Sequence, residues 1–537
     1  MTPDRFTLLR EDLGPRTLAY LLGADLSAVV AWDSQIELDT LGPSQLAVLE
    51  QLNLTRAVRI ESSGSHPQAT WSQVLIDGAN IDDRGLGTVW RILAGGAADG
   101  FDVTGLSLAT LLTRIAVDAY PSLLLHDSFR FDGFGMSMVS LRTHPLFERF
   151  QAAAMEDEVL GPLFTIGREA GNEQDLLYRS VGQGFTFQPS LFVDQLVTAA
   201  WIGAQLQSQV PTPVDLAAEV ELQLERAREA LDGAVQIPVR IGFTGVLLPR
   251  DVERIDLGWG TLRRVDERDR YFADIARISG GTSTTDEKGY TTAIAYSGDL
   301  VLETSAPYTA SITHRPADQP WIPPLLQTTT AIEEAAETLR LALLLSTGNP
   351  QSSIYPTWRA AVEPFSYGRI VNWDDPVNAV GLLPARLTRA EVDSWRRWAV
   401  AVHEHRPHVG VAVRRLLQAI NERKRAEDIL VDAVIVWESL FGITPGTTKG
   451  VTEALDHLLH RPGQDQEANK QHLRDIYNAR SRVVHGDSEL DDWTLRQMAS
   501  DAVAIAIAAL QQLFESRTDL LSLPTAKHRN RAVRQPR

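Results

Sequence analysis

The hydrophobic period of this 537-residue chain changes twice, and those two changes limit the folds open to it more than any single motif. Up to about residue 232 the apolar residues recur at helical spacing. That region ends in "VPTPVDLAAEVELQLERAREALDGA", read as one helix over about 206–232 with Pro and Thr before it and Gly233 after it. The period then becomes extended. "VQIPVRIGFTGVLLP", "LGWGTLRRV", "TTAIAYS" and "LVLETSAPYTASITH" are short β-branched runs divided by turn residues, "GGTSTTDEKG" at 280–289 among them. Beyond residue 328 the helical period returns and runs to about residue 517, with breaks at "GNPQSS" and "NWDDPVN". The expectation is an α+β multidomain protein with a mostly helical N-terminal region, a β-rich middle domain and an all-α C-terminal bundle. Five segments follow: 1–105 helical, 106–205 mixed, 206–385 β-rich with flanking helices, 386–520 helical bundle, and 521–537 a basic flexible tail. The mixed segment holds Gly- and Phe-rich stretches ("SFRFDGFGMSMVS", "VGQGFTFQP") and no motif.

Composition sets the chemical limits. A chain with no cysteine has no disulfide, no thiol catalysis and no Cys-ligated zinc. No stretch reaches the roughly 18 consecutive apolar residues of a membrane span; the longest clean run is "AVAIAIAAL" at 502–510. The opening "MTPDRFTLLREDLG" lacks a basic segment followed by an apolar one. A cytoplasmic protein without a membrane partner is the expectation. A formal charge of −18 argues against coating nucleic acid through the overall field, while leaving room for a small basic cleft. Charge is uneven: "TAKHRNRAVRQPR" at 525–537 carries Lys527, Arg529, Arg531, Arg534 and Arg537 without an acid, and reads as a solvated arm.

Near the N-terminus, "RTLAYLLGADLSAVVAWDS" has helix-turn-helix spacing. Ala19 is small enough for a helix crossing, Gly23 falls at the turn where positive φ is easily reached, and Val29 points inward. The segment resembles the helix-turn-helix of Xre-type regulators and antitoxins, and residues 69–97 resemble the domain that often follows it there. Reading base edges requires Arg, Lys, Asn or Gln. "ADLSAVVAWDSQIELD" presents Asp25, Asp33, Glu37 and Asp39 instead, which favours protein contact over operator binding.

In the C-terminal segment, helices are expected over 411–424 and 426–442, with an accessory helix at 388–405, a third ending at Gly486, and a fourth from Asp491–Asp492 to about Ser516. The second, apolar on nearly every side, belongs in the middle of the bundle. On the third, Leu473, Tyr477, Arg480 and Val484 step by four, three and four, widened by Ile476 and Val483. Arg480 therefore falls on the face to be buried, where a lone guanidinium needs a carboxylate, a partner chain or an anionic ligand. Glu438 is the candidate carboxylate. His485 stands at the helix C-terminus, where the dipole favours the imidazolium, and Asp487 and Glu489 act the same way.

"RSRVVHG" is an Arg-x4-His motif and resembles the catalytic signature of HEPN ribonucleases, whose domains are four-helix bundles. "VAVRRLLQAINERKRAEDILVDAVIVWESLFG" together with "LRDIYNARSRVVHGDS" is similar to the ApeA-like branch of that family, over about residues 405–515. The resemblance implies metal-independent RNA cleavage, tRNA being one candidate substrate, with no cofactor and no metal. His485 would serve as general base or acid, and Arg480 would hold the scissile phosphate. Glu438, Tyr477, Asn478, Ser481, Arg482, Arg474 and Lys470 would support the site or contact RNA. Asn478 stands where aspartate is common in the family, and the linker "ITPGTTKG" is brief. Five residues at about 100° each place Arg480 and His485 roughly 140° apart on one helix, so a homodimer that pools two such helices is expected. The implied role is a defence or toxin effector with a phage or cellular trigger or an antitoxin as regulatory partner. The alternatives are a non-catalytic HEPN protein that dimerises or binds RNA, and a helix-turn-helix regulator.

Two further motifs are set aside. "HEHRPH" groups His403, Glu404, His405 and His408, but alternate helix positions diverge and Pro407 ends the helix, so a solvated helix end is expected rather than a metal site. "GITPGTTKG" mimics a phosphate loop, yet it follows a helix and its Lys449 precedes glycine. Trp259 and the other aromatics of the middle domain are expected in the core, with a substrate or ligand pocket as the alternative.

Overall fold

A computed structural model describes residues 2–30, 36–61, 67–79, 83–97, 107–125, 140–165, 179–181, 185–187, 189–266, 268–269, 282–285, 291–294, 299–310, 312–313, 327–348, 353–366, 369–372, 385–444, 446–460, 463, 465–486 and 490–535. Asp33, Asp487, Glu489 and most of "SFRFDGFGMSMVS" lie outside these residues. The chain is an α+β assembly of a helical N-terminal lobe, an antiparallel sheet and a C-terminal group of helices. No helix among the described residues is long and apolar enough to cross a membrane.

The N-terminal lobe is built on α1 (Pro3–Leu21), α2 (Leu108–Leu123), α3 (Phe192–Gln205) and α4 (Pro213–Asp232). Helix α1 kinks at Gly14, whose φ of 76° precedes Pro15. Gly23 turns the chain with φ 78°, and Ala19 and Val29 are buried on either side of it. A Cβ at Gly23 would meet the Gly96 backbone nitrogen at 2.7 Å, so this turn is packed against another loop. The described part of the second helix is the short Leu26–Val30. Helix α4 starts at Pro213 rather than at 206, because Thr212 and Asp215 form a capping box: Thr212 Oγ1 accepts from the Asp215 amide at 3.2 Å, and Asp215 Oδ2 accepts from the Thr212 amide at 2.8 Å.

The sheet comprises β1 (Val235–Thr244), β2 (Arg254–Asp256), β3 (Gly260–Arg264), β4 (Leu300–Tyr308), β5 (Tyr355–Ala361) and β6 (Arg369–Asn372) in the spatial order β6-β5-β1-β4-β3-β2. Leu302 of β4 faces Ile241 on one side and Leu262 on the other. Ile237, Val239, Ile241 and Phe243 alternate along β1 onto one buried face. On the other, Val301 and Trp358 pack with Ala199 and Ile202 of α3. Beside them Asp269, fully buried, accepts from Arg240 at 3.1 Å and from Arg263 at 2.6 and 2.9 Å; Glu303 completes the network. Strands β5 and β6 correct the expectation of a continuous helical return after residue 328. Tyr355, Trp358, Ala361 and Val362 fit helical spacing as well as a strand. What selects the strand is Gly242, whose missing side chain makes room for the Trp358 ring.

Helix α5 (Gln327–Thr347) packs on β4 and also on the C-terminal helices. These are α6 (Arg389–His405), α7 (Gly410–Asn421), α8 (Ala426–Phe441), α9 (Thr447–Leu459), α10 (Gln466–His485), α11 (Asp492–Ser516) and α12 (Ala526–Val533). Trp395 Nε1 donates to Leu339 O at 3.1 Å and Gln511 Nε2 to Leu345 O at 2.7 Å, which fastens α5 to the group. Helix α8 is central and touches α7, α9, α10, α11 and α12. Two expectations are corrected. The brief linker "ITPGTTKG" leads into and begins α9, an additional helix between the second and third. The tail is not a free arm: α12 buries Arg529 and Asn530, because backbone carbonyls of α8 lack other donors there. In "HEHRPH", His403, Glu404, Pro407 and His408 are exposed, as a solvated helix end requires, but two of the side chains make tertiary contacts. Arg406 is buried and paired with Glu337, and His403 stacks on Trp259 at 4.7 Å with 9° between the rings. Burial and the nearby Arg406 charge hold the His403 imidazole below its ordinary value. No cluster of metal-ligating side chains occurs among the described residues.

Candidate functional site

Helix α10 is defined at both ends by its own sequence. Asp465 Oδ1 accepts from the amides of Glu467 and Ala468 at 3.0 and 3.1 Å, and Gly486 closes the helix in the left-handed region with φ 70°. The buried face consists of Leu473, Ile476, Tyr477 and Ala479, with Val483 packed at its margin. Val484 shares the azimuth of Leu473 and Tyr477 but is 50% exposed, which corrects its placement in the buried stripe. Trp493, at the start of α11 and at the same end of the α10–α11 hairpin, is 77% exposed.

Arg480 is only partly buried, 21% of its side chain remaining exposed. Its Nη2 donates to Glu438 Oε2 at 3.4 Å. The Tyr477 hydroxyl donates a very short hydrogen bond to Glu438 Oε1. Burial, then the hydrogen bond to Glu438 and its charge, push the Tyr477 phenol up to about 12; the Arg480 charge and a hydrogen bond from Thr448 act in the opposite sense. Glu438 thus gives one oxygen to a phenol and the other to a guanidinium. Of the five N–H donors an arginine carries, Arg480 uses one among the described residues, and its Nε is buried without a partner.

The remaining sequence-named residues are scattered more widely. His485 is exposed at the end of α10. Asn478 is exposed, Ser481 and Arg482 are partly buried, and none of these four side chains has a partner among the described residues. Lys470 is drawn inward to Asp456 at 3.8 Å, a fully buried carboxylate that also accepts from Gln466 and Asn469 at 2.8 Å. Arg474 lies 3.6 Å from Glu467, toward the start of the helix. The structure therefore assembles Glu438, Tyr477 and Arg480, keeps Arg482 and His485 on the same final turns, and places Lys470 and Arg474 at the other half of α10. Sequence reasoning missed Thr448, hidden in a segment that reads as a loop, and Asp432, buried on α8, which accepts from Arg415 at 2.8 Å and Arg423 at 2.6 Å. The charged run "NERKRAED" at 421–428 was the only signal for that network.

No protein-family model, curated protein or solved structure matches this chain. Chemically, among the described residues, the arrangement offers a guanidinium held by protein with donors to spare and an unpartnered imidazole at a helix terminus.

Proposed function

We propose that the chain is a cytoplasmic, metal-independent endoribonuclease of the HEPN type, acting on RNA as a homodimer in the manner of a defence or toxin effector. The observation that carries this reading is Arg480: Glu438 orients its guanidinium through a single 3.4 Å bond, and the other donors of the fork have no partner among the described residues. In the proposed reaction His485 removes the proton of a ribose 2′-hydroxyl, whose oxygen attacks the adjacent phosphorus. Arg480 stabilises the charge that develops on the phosphoryl oxygens. The leaving 5′-oxygen takes a proton, giving a 2′,3′-cyclic phosphate and a 5′-hydroxyl. Val484 and Trp493, both exposed at this end of the hairpin, supply the apolar contacts for a second copy. Lys470, tied to Asp456, falls outside the proposed RNA contacts.

A second reading, a non-catalytic protein that dimerises or binds RNA, is favoured by one observation: the Arg480–Glu438–Tyr477 cluster is also a sound structural ion-pair network. Incubation of the purified protein with total tRNA and mRNA in EDTA separates the two. Cleavage to cyclic-phosphate ends by the wild type, lost in Arg480→Ala and His485→Ala, is the expected result. Intact RNA together with normal growth on expression would favour the second reading.

A further inference from the structure

Helix α8 ends without a left-handed cap: Gly442 has φ −63° and ψ 138°. The carbonyls of its last turn therefore need donors from elsewhere. Glu438 O accepts from the Gly442 amide at 2.6 Å. Ser439 O and Leu440 O accept from Arg529 Nη2 and Nε, both at 2.9 Å, and Phe441 O accepts from Asn530 Nδ2 at 2.6 Å. Arg529 Nη1 donates to Leu523 O at 3.0 Å. Arg529 is 4% exposed and, among the described residues, has no carboxylate partner; its acceptors there are all backbone oxygens. A cation at a helix C-terminus is favoured by the helix dipole.

The same short helix reaches the next element. Asn530 Nδ2 and Arg534 Nη2 both donate to Gly450 O, at 2.9 and 2.8 Å, and Arg534 pairs with Glu453 at 2.7 Å. Helix α12 thus binds the end of α8 to the first turn of α9. Those two places carry Glu438 and Thr448, the two side chains that bond Tyr477, and Glu438 also holds Arg480.

We propose that Arg529 is a positioning residue for the candidate site: by capping α8 it fixes Glu438, and through Glu438 the orientation of Arg480. The inference rests on the reading of Arg480 as the phosphate-binding group, but its structural half can be tested separately. The full chain is labelled with fluorotyrosine, and the Tyr477 fluorine resonance is assigned by its loss in Tyr477→Phe. In Arg529→Met, folded by far-UV circular dichroism and size-exclusion chromatography, the Tyr477 resonance moves while those of tyrosines in the N-terminal lobe, such as Tyr20 and Tyr120, stay in place. Where the wild type cleaves RNA, kcat falls at least tenfold in the same variant, with KM within about twofold, because the misoriented guanidinium fails mainly at the transition state. A folded Arg529→Met whose Tyr477 resonance is unmoved overturns the inference, as does a displacement shared equally by every tyrosine. If Arg529→Met does not fold, Arg529→Lys keeps the charge but not the three-way fork, and the same two resonance outcomes decide. An inactive wild type refutes the ribonuclease reading without affecting the resonance test.

Discussion

Glu438→Gln is the perturbation that most directly tests how the cluster is wired. Tyr477 is 6% exposed, and its phenol stands at about 12 against an ordinary 10.0. Two pKa units correspond to about 3 kcal/mol against the phenolate. Burial accounts for the largest part, followed by the hydrogen bond to Glu438 and then its negative charge. Glutamine keeps an acceptor for the hydroxyl but removes the charge, so the Tyr477 titration should fall by roughly half to one unit. Arg480→Gln should shift it the other way, because the guanidinium is one of the groups holding the phenol down. Two substitutions in one ion pair are thus expected to have opposite signs. The assay is phenolate absorbance after a rapid pH jump, read before alkaline unfolding begins, with the Tyr477→Phe signal subtracted. Since the folded protein favours the protonated phenol, this group leaves stability unchanged below pH 10 and lowers it between pH 10 and about 12. Glu438→Gln should narrow that window. Shifts of the same sign in both variants, or no shift in either, would refute the wiring and leave burial as the sole cause.

Two further outcomes are expected in the N-terminal lobe. Asp194 is 1% exposed, its Oδ1 accepts from the Leu141 amide at 2.8 Å, its Oδ2 has no partner among the described residues, and burial pushes it up to about 7. The fold therefore favours the protonated acid: stability should fall as pH rises from about 4 to about 7, by about 4 kcal/mol in all. In Asp194→Asn the denaturation midpoint of this lobe should be nearly flat across that range, and an unchanged pH dependence would exclude Asp194 as its source. At the turn after α1, Gly23→Ala meets both a positive φ and the Gly96 backbone at 2.7 Å, whereas Gly95→Ala meets a positive φ with nothing within 4 Å. Gly95→Ala should cost about 1–2 kcal/mol in thermal or urea unfolding and Gly23→Ala clearly more; equal losses would mean that the close approach at Gly23 relaxes freely.

Local chemistry made much of the fold legible. Thr212 and Thr388 cap their helices with the carboxylates of Asp215 and Glu391, and Gly486 ends α10, all through contacts a few residues apart. The β-branched runs marked three of the six strands of the main sheet, β1, β3 and β4, and β2 lies just before one of them. Strands β5 and β6 were hidden because Trp358 depends on a glycine more than a hundred positions earlier. Helix α9 was hidden because Thr, Gly and Pro at its start weigh toward a loop, although Gly446 merely precedes the helix with φ 86°. In the candidate site, the residues of α10 and Glu438 are visible in the sequence pattern. Arg529 and Asn530 are not. A basic run looks solvated, and nothing in a sequence marks which distant carbonyls lack a donor.

That distance has a consequence in time. Leu440 O and Arg529 Nε are separated by 89 residues. At a synthesis rate of roughly 5–20 residues per second, the end of α8 exists for on the order of ten seconds before its cap has been made. During that interval the carbonyls of Ser439, Leu440 and Phe441 have only water to bond. A nascent chain, which grows beside messenger and transfer RNA, thus carries Glu438 and Arg480 before α12 can lock the helix end that holds them.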